Sequence, residues 1–187
     1  MNNNNNEKEI AIFAGGCFWC MVSPFHVLKG IESVQSGYIG DSKENATYEK
    51  VKSQQTKHYE AVKIIYNPDA ISYEKLLKAF WMQIDPTDDG GQFHDRGKSY
   101  QSAIFYTNDE QKELALKSKE ALDASKKFKE KIVTKVLPAT PFYNAEEYHQ
   151  DFYKKEEKAY KKDRSISGRD EFINEHWGEE YWAIFES

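Results

Sequence analysis

The sequence predicts an α+β fold, a two-layer sandwich in which helices pack on a mixed β-sheet. Apolar runs of strand length alternate with segments whose apolar residues recur at helical spacing. The connections between them include hairpin-length loops and longer crossovers, so the sheet should contain both antiparallel and parallel neighbours. The chain has 187 residues, no internal repeat and no linker, so residues 9–187 are expected to form one domain after a disordered tail, residues 1–8.

The first half of the chain contains two predicted strand–helix units. Glycines end the first strand and Asn-Pro ends the second, while apolar stripes at helical spacing mark the helices. Gly30 is the predicted stop of the first helix, and Ser72 is the predicted N-cap of the second. In order, the segments are the strand "KEIAIFAGG", the helix from Cys17 to Leu28, the strand "KHYEAVKIIYNP" and the helix "SYEKLLKAFWMQID".

The second half begins with a predicted loop rich in Asp and Gly and continues with two further strands. Asn108 is the predicted N-cap of a long charged helix between these strands, and Pro138 marks the end of the last one. The remainder is expected to be helical and charged, and then irregular. In order, the segments are the loop "DPTDDGGQFHDRG", the strand "SYQSAIFYT", the helix "DEQKELALKSKEALDASKKF", the strand "KIVTKVLPAT" and the charged segment beginning "NAEEYHQDFYKK".

Composition excludes several classes of protein. The net charge of −5 argues against nucleic acid as the main partner. The N-terminus "MNNNNNEKEI" has no basic or apolar region of a signal peptide, and no apolar run approaches the ~18 residues of a membrane span. A cytoplasmic chain that binds no membrane is therefore expected. Two cysteines three residues apart cannot form a stabilising disulfide framework.

The two cysteines, Cys17 and Cys20, lie together in "IAIFAGGCFWCMVSPF", and three interpretations compete. A structural zinc site needs four ligands, whereas no other cysteine exists and the five histidines are dispersed. Two buried, inert cysteines are the second interpretation. The third is redox catalysis: a thiol at a helix N-terminus favours the thiolate, and a cysteine at i+3 lies on the same face. Cys17 is then the attacking sulfur, which Gly15 and Gly16 leave uncovered, and Cys20 resolves it.

The aromatic spacer and one carboxyl group add to the redox interpretation. Phe18 and Trp19 either pack in the core or turn outward as an apolar wall that fits a group such as a methyl. Glu60 shares a strand face with Val62 and Ile64, because side chains alternate with a period of two. That position suits a carboxyl with a function or a partner, or else a partly exposed residue at the start of the strand.

Several segments together resemble the peptide methionine sulfoxide reductase A family. The likeness spans about residues 9–155, with the motifs in the family's order. It implies an α+β sandwich of ferredoxin-like type and an enzyme that reduces the S epimer of methionine sulfoxide. The segments that carry the likeness are "GGCFWC", "SGYIG", "HYEAVKIIYNPDAISYEKLLKAFW", "DPT…QFHDRGKSYQSAIFY" and "PFYNAEEYHQDFYKK".

The resemblance also implies roles for individual residues and partners. The substrate is free or protein-bound methionine sulfoxide, no cofactor or metal is bound, and thioredoxin (or dithiothreitol in vitro) is the external reductant. The enzyme would act in protein repair under oxidative stress, and a monomer is expected. The implied residues are Cys17 as nucleophile, Phe18 and Trp19 around the substrate methyl, Tyr38, Glu60 and Tyr100 around the sulfoxide oxygen, and Asp95 in the substrate-binding shell. Glu60 would protonate that oxygen, because an apolar site keeps a carboxyl neutral.

The sequence departs from the family pattern at four places. Cys20 replaces a common glycine, and the C-terminal tail lacks the cysteine that many members carry, so Cys20 is left as the resolving residue. Phe93 stands where glycine is common and Gln101 where arginine is common. The last segment, residues 163–187, shows no recognisable chemistry. The alternatives are a general thiol–disulfide oxidoreductase and a redox- or metal-sensing interaction module, both of which would lack reductase activity specific for the S epimer.

Overall fold

The computed structural model describes residues 7–186, and most of the tail expected to be disordered, residues 1–8, lies outside them. One six-stranded sheet organises the chain, with a two-stranded ribbon (β4–β5) beside it. The strands are β1 (Glu9–Gly15), β2 (Ile31–Ile39), β3 (Tyr59–Tyr66), β4 (Gly91–Gln92), β5 (Asp95–Arg96), β6 (Ser102–Tyr106), β7 (Lys135–Pro138) and β8 (Phe142–Asn144).

The strand order of the main sheet is β7-β6-β1-β3-β2-β8. Strands β6 and β7 run parallel, and the other neighbours run antiparallel. The sheet is therefore mixed, as the sequence predicts. Four of its strands, β1, β2, β3 and β6, succeed one another along the chain. In the sheet they lie side by side in the order β6-β1-β3-β2, so the last of the four borders the first, and the second is at the far side. This is the arrangement of a ferredoxin-like βαββαβ unit, so the predicted fold class is confirmed.

Eight α-helices lie among the described residues. Two of them, α3 and α4, pack against the sheet and each other, and α3 does so with the apolar stripe that the sequence predicts. Side chains of Ser72 and Asn108 cap them, each accepting a hydrogen bond from the backbone N–H three residues later. The helices are α1 (Phe18–Met21), α2 (Tyr48–Lys52), α3 (Tyr73–Gln83), α4 (Asp109–Ala124), α5 (Phe152–Lys155), α6 (Glu157–Ser167), α7 (Arg169–His176) and α8 (Glu179–Ala183).

The alternation of side chains along the strands produces two apolar clusters. The larger lies beneath the helices, where the rings of Phe13 and Phe80 stack with their centroids 4.8 Å apart. The smaller lies on the opposite face of the sheet and includes Ile12, Tyr59 and Phe105. Side chains of β3 therefore enter opposite clusters in turn, and this places a carboxyl group of that strand on the same face as the larger core.

The observed elements differ from the predicted ones at both ends of the chain. The helix predicted from Cys17 to Leu28 is broken into α1 and a 3₁₀ turn, Phe25–Val27, because Pro24 has no N–H to continue the helical bonding. Strand β2 was not predicted, since its Ser, Gly and Gln residues have weak β propensity. The expectation of an irregular C-terminus was wrong, because α6, α7 and α8 continue to Ala183. None of the described helices is long and apolar enough to cross a bilayer.

Candidate active site

The two cysteines lie at the start of α1, directly after β1. Cys17 is the N-cap residue of this helix, and its carbonyl accepts the backbone N–H of Cys20 at 3.1 Å. Both thiols are free and buried, and their sulfurs lie within 4.8 Å of each other. The geometry therefore allows a disulfide between them after a small movement.

The two preceding glycines are required by packing. A Cβ on Gly15 would lie 2.6 Å from the sulfur of Met21, and one on Gly16 would lie 2.7 Å from Cβ of Gln92. Gly16 also has a φ of +90°, which a side chain would disfavour. The glycines therefore let α1 approach the sheet and the β4 segment closely.

The pKa values of the two thiols are shifted in opposite directions. A hydrogen bond to Cys20, burial and the nearby charges of Glu60 and Asp95 raise the pKa of Cys17 well above its usual value. The same hydrogen bond, together with Arg169 and Arg164, lowers the pKa of Cys20 to about 7 against the effect of burial. The pKa of Cys17 is therefore shifted in the direction opposite to that expected at a helix N-terminus. The reasons are that α1 has only four residues and that the Cys17 thiol donates a hydrogen bond to Cys20.

Glu60 provides a buried, neutral carboxyl next to the cysteines. It lies on β3 and is 1% exposed, and its Oε1 accepts the backbone N–H of Phe18 at 3.2 Å. Its Oε2 is buried with no hydrogen-bond partner among the described residues. Burial raises the pKa of Glu60 to about 8, although the hydrogen bond from the backbone N–H of Phe18 opposes the shift. At pH 7 this carboxyl is therefore mostly protonated, with a free oxygen as its proton-bearing atom.

Three tyrosines surround this carboxyl, and they differ in their partners. Burial raises the pKa values of Tyr48 and Tyr100, and the charges of Glu60 and Cys17 raise them further, so both hydroxyls remain protonated beside the reactive groups. The buried Tyr38 instead donates its hydroxyl proton to Glu146 at 2.9 Å. Glu146 also accepts the backbone N–H of Tyr48 at 3.1 Å, so Tyr38 helps to hold the start of α2.

Tyr48 was not singled out in the sequence. The one local feature near it is a helix cap: the side chain of Thr47, the preceding residue, accepts a hydrogen bond from the backbone N–H of Lys50 at the start of α2. Nothing in that signal indicates that the Tyr48 ring lies beside Phe18, with centroids 6.3 Å apart. Only the tertiary contact between α2 and α1 places this hydroxyl near the cysteines.

The two aromatic spacer residues take different positions. Phe18 is 1% exposed, so its ring belongs to the core. Trp19 is half-buried and stacks on Phe152, with centroids 3.8 Å apart and planes 9° from parallel. Its Nε1–H donates to Nδ1 of His149 at 3.0 Å, so this histidine carries its proton on Nε2 and serves as a structural acceptor. Trp19 therefore offers a fixed indole face at the edge of the site.

Asp95 lies on β5, and its charge acts on both Cys17 and Glu60. It is half-buried, and burial raises its pKa. His94 lies between two carboxylates, with Nε2 3.5 Å from Asp95 and 3.6 Å from Asp163. Phe93 has a φ of +56°, which explains why glycine suits this position. The side-chain amide of Gln101 donates a hydrogen bond to the carbonyl of Asp89 at 2.7 Å.

One group of three potential metal ligands occurs among residues 7–186. The sulfurs of Cys17 and Cys20 and a carboxylate oxygen of Asp163 all lie within 4.8 Å of one another. A structural zinc ion takes four protein ligands, and the guanidinium groups of Arg164 and Arg169 next to Cys20 oppose a second positive charge. The arrangement is better suited to stabilising an anionic sulfur than to holding a cation.

Comparison with known proteins identifies a consistent set of relatives. The chain matches the family model described as "Peptide methionine sulfoxide reductase" over residues 9–181. It is 62% identical over 170 residues to a Halalkalibacterium halodurans protein named peptide methionine sulfoxide reductase MsrA, covering 91% of this chain and 97% of that one. The Bacillus subtilis protein of the same name is 61% identical over 174 residues, covering 93% and 98%.

A solved structure is similar as well. The reduced form of Mxr1 from Saccharomyces cerevisiae superimposes with a TM-score of 0.74 at 27% identity, covering 82% of this chain and 88% of that one. The chain therefore spans nearly the full length of these proteins in both sequence and fold.

Proposed function

This chain belongs to the peptide methionine sulfoxide reductase family, and we propose that, in reducing methionine sulfoxide, it acts on the S epimer, free or in proteins. The observation that supports the proposed mechanism best is the buried Glu60, whose pKa is raised to about 8. A neutral acid beside a nucleophilic sulfur is suited to a reaction that develops negative charge on an oxygen atom.

In the first half-reaction, the sulfur of Cys17 attacks the sulfur of the sulfoxide. Glu60 gives its proton to the sulfoxide oxygen, while the hydroxyls of Tyr48 and Tyr100 donate hydrogen bonds to it. The oxygen is transferred to Cys17, which becomes a sulfenic acid, and methionine leaves as the reduced thioether. The proton that Cys17 loses replaces the one that Glu60 gave, so the step needs no net proton from solvent.

The second half-reaction forms a disulfide. The sulfur of Cys20 attacks the sulfenic sulfur of Cys17, and the oxygen leaves as water with the proton that Glu60 regained in the first half-reaction. The short distance between the sulfurs supports this step. An external dithiol then reduces the disulfide by exchange, and we propose thioredoxin as that reductant in the cell and dithiothreitol as its substitute in vitro.

The remaining site residues are assigned supporting roles. Trp19 and the buried ring of Phe18 provide the apolar surface that holds the substrate methyl. Asp95 belongs to the shell that binds the rest of the substrate. Tyr38 contributes through Glu146, whose second oxygen holds the backbone of Tyr48.

The experiment is a single turnover of the prereduced protein without added reductant. We expect about one methionine per chain from the S epimer, none from the R epimer, and a Cys17–Cys20 disulfide in the peptide map. The Cys17→Ser variant is the matched control and should release none. Equal activity on both epimers would contradict the epimer assignment, and reduction of protein disulfides without any sulfoxide reduction would favour a general thiol–disulfide oxidoreductase.

A further inference from the structure

Arg169, the first residue of α7, is a fully buried guanidinium at the cysteine pair. It is 1% exposed and is the largest fully buried side chain among the described residues. Its Nη1 donates to the carbonyl of Gln83 at 2.7 Å and its Nη2 to that of Gly15 at 2.9 Å, while Nη1 lies 3.5 Å from the sulfur of Met21. The side chain therefore bridges β1, α1 and α3, and its contact on α1 is Met21, the residue that follows Cys20.

This guanidinium has no carboxylate partner. Among residues 7–186, no Asp or Glu oxygen lies within 4.0 Å of it, and its Nε has no hydrogen-bond acceptor. The neighbouring Arg164 differs, because its Nε is paired with Asp170 at 2.8 Å. A buried charge without a counter-ion is destabilising, so the site around Arg169 favours an anion that the resting hydrogen bonds do not supply.

Three groups that can become anionic act on this unpaired charge: the two thiols and, more weakly, the carboxyl of Asp95. Negative charge on Cys20 is the strongest electrostatic support for the protonated Arg169, and negative charge on Cys17 contributes less. Arg169 is also the largest charge that favours the ionised form of Cys20. We propose that the thiolate of Cys20 is the counter-ion of Arg169, so that α7 holds Cys20 in the anionic form that attacks the Cys17 sulfenic acid. This inference rests on the proposed function.

Other charged or titratable groups face Cys20 from α1 and α6. Cys17 donates a hydrogen bond and Arg164, whose Nη1 donates to the Cys20 carbonyl at 3.1 Å, adds positive charge, whereas Asp163 opposes ionisation. Tyr160 is half-buried beside Arg164 and has a raised pKa, so it is neutral. The balance lowers the pKa of Cys20 to about 7. As pH falls below this value the thiolate is lost, and disulfide formation should slow.

The same contact affects the redox equilibrium. Arg169 stabilises a thiolate, which exists in the reduced protein and not in the disulfide. By stabilising the reduced form it makes the Cys17–Cys20 disulfide more oxidising and easier for an external dithiol to reduce. Arg169 is therefore a positioning residue for the second half-reaction and for regeneration.

The direct test is the ionisation of Cys20 in the Cys17→Ser variant, in which Cys20 is the one cysteine left in the sequence. The serine hydroxyl can still donate a hydrogen bond to Cys20, and the thiolate absorbance of this variant gives the reference midpoint against which changes at Arg169 are compared. Adding Arg169→Met should move the midpoint to higher pH by at least about one unit, a tenfold change in the acid constant. Arg169→Lys should restore most of the shift, and Arg96→Gln, at an exposed arginine paired with Asp88, should leave the midpoint unchanged.

The outcomes are decisive even where one variant misfolds. Methionine suits the site because replacing a buried charge by an apolar group of similar volume is commonly tolerated, and Arg169→Gln provides a second charge-free side chain. An unmoved midpoint in either folded variant would overturn the inference.

Turnover separates this inference from the proposed function. With both cysteines present, Arg169→Met should still release about one methionine per chain without reductant. Its disulfide should form about fivefold more slowly at pH 7, where a one-unit shift lowers the thiolate fraction of Cys20 from about one half to about one tenth. Its reduction potential should be lower by about 30 mV at pH 9, the equivalent of a tenfold change for a two-electron couple. No methionine from the unmodified protein would contradict the proposed function, whereas normal disulfide formation in Arg169→Met would contradict the inference alone.

Discussion

Replacement of Glu60 by glutamine tests the proposed acid in the most informative way. The amide has nearly the same shape, and its oxygen can still accept the backbone N–H of Phe18. It cannot release a proton to a developing oxyanion. The substitution therefore separates proton donation from hydrogen bonding and packing.

The expected loss of rate follows from the role of a general acid. Positioned proton donors contribute about 10²- to 10⁴-fold, so single-turnover release of methionine should slow by that factor in Glu60→Gln. In the unmodified protein the same rate should be constant below the pKa of Glu60, about 8, and should fall about tenfold for each pH unit above it. The variant should lose this pH dependence.

The same substitution should change stability in the opposite direction to activity. The pKa of Glu60 is about 8 in the folded protein against an ordinary value of 4.5. A raised folded pKa gives a stabilising contribution that is complete below pH 4.5 and declines as pH rises through 8. At pH 7 the decline amounts to about 3 kcal/mol of unfolding free energy. Glu60→Gln should not show this decline.

The assay combines quenched-flow measurement of methionine with urea unfolding between pH 5 and pH 9. The difference between the two proteins isolates Glu60, because every other titrating group is common to both. Glu9→Gln is the matched control, since this exposed residue accepts only the hydroxyl of Tyr66 and lies outside the site. A first-step rate within threefold of the unmodified protein, or parallel stability profiles, would refute the assignment of Glu60 as a buried neutral acid.

Three further predictions concern other residues of the site. Cys20→Ser should release about one methionine per chain, leave a sulfenic acid on Cys17 that mass spectrometry detects, and fail to turn over with thioredoxin; continued turnover would exclude Cys20 as the resolving residue. Tyr48→Phe should slow the first step by about 10- to 100-fold in stopped-flow assays. Tyr38→Phe should have a smaller effect on this rate and should lower the unfolding free energy by about 1 kcal/mol. A larger loss of rate in Tyr38→Phe than in Tyr48→Phe would contradict these roles. Trp19→Ala should raise KM for a sulfoxide peptide about tenfold, which steady-state kinetics would reveal, and an unchanged KM would remove this ring from the substrate pocket.

The sequence was sufficient for those features whose signals are local. The alternation around Glu60 placed it correctly on the core face, and Ser72 and Asn108 cap the helices that they were predicted to begin. The spacing of Cys17 and Cys20 was also enough to predict that the two thiols lie close together.

The remaining features depend on contacts between distant segments. Strand β2 carries little β propensity and is formed by pairing with β3 and β8. Tyr48 and Arg169 join the site only because α2 and α7 fold back onto the cysteine segment. The direction of the pKa shift at Cys17 could not be foreseen either, because it depends on the hydrogen bond to Cys20, on burial and on the charges of Glu60 and Asp95.

The most direct test of the mechanism is the protonation state of one carboxyl group at neutral pH. Infrared spectroscopy of the reduced protein should show the carbonyl band of a protonated buried carboxyl at pH 7, which disappears with a midpoint near pH 8 and is absent from Glu60→Gln. The same band lost below pH 5, as in an ordinary glutamate, would mean that Glu60 is ionised when the sulfoxide binds and cannot supply its proton.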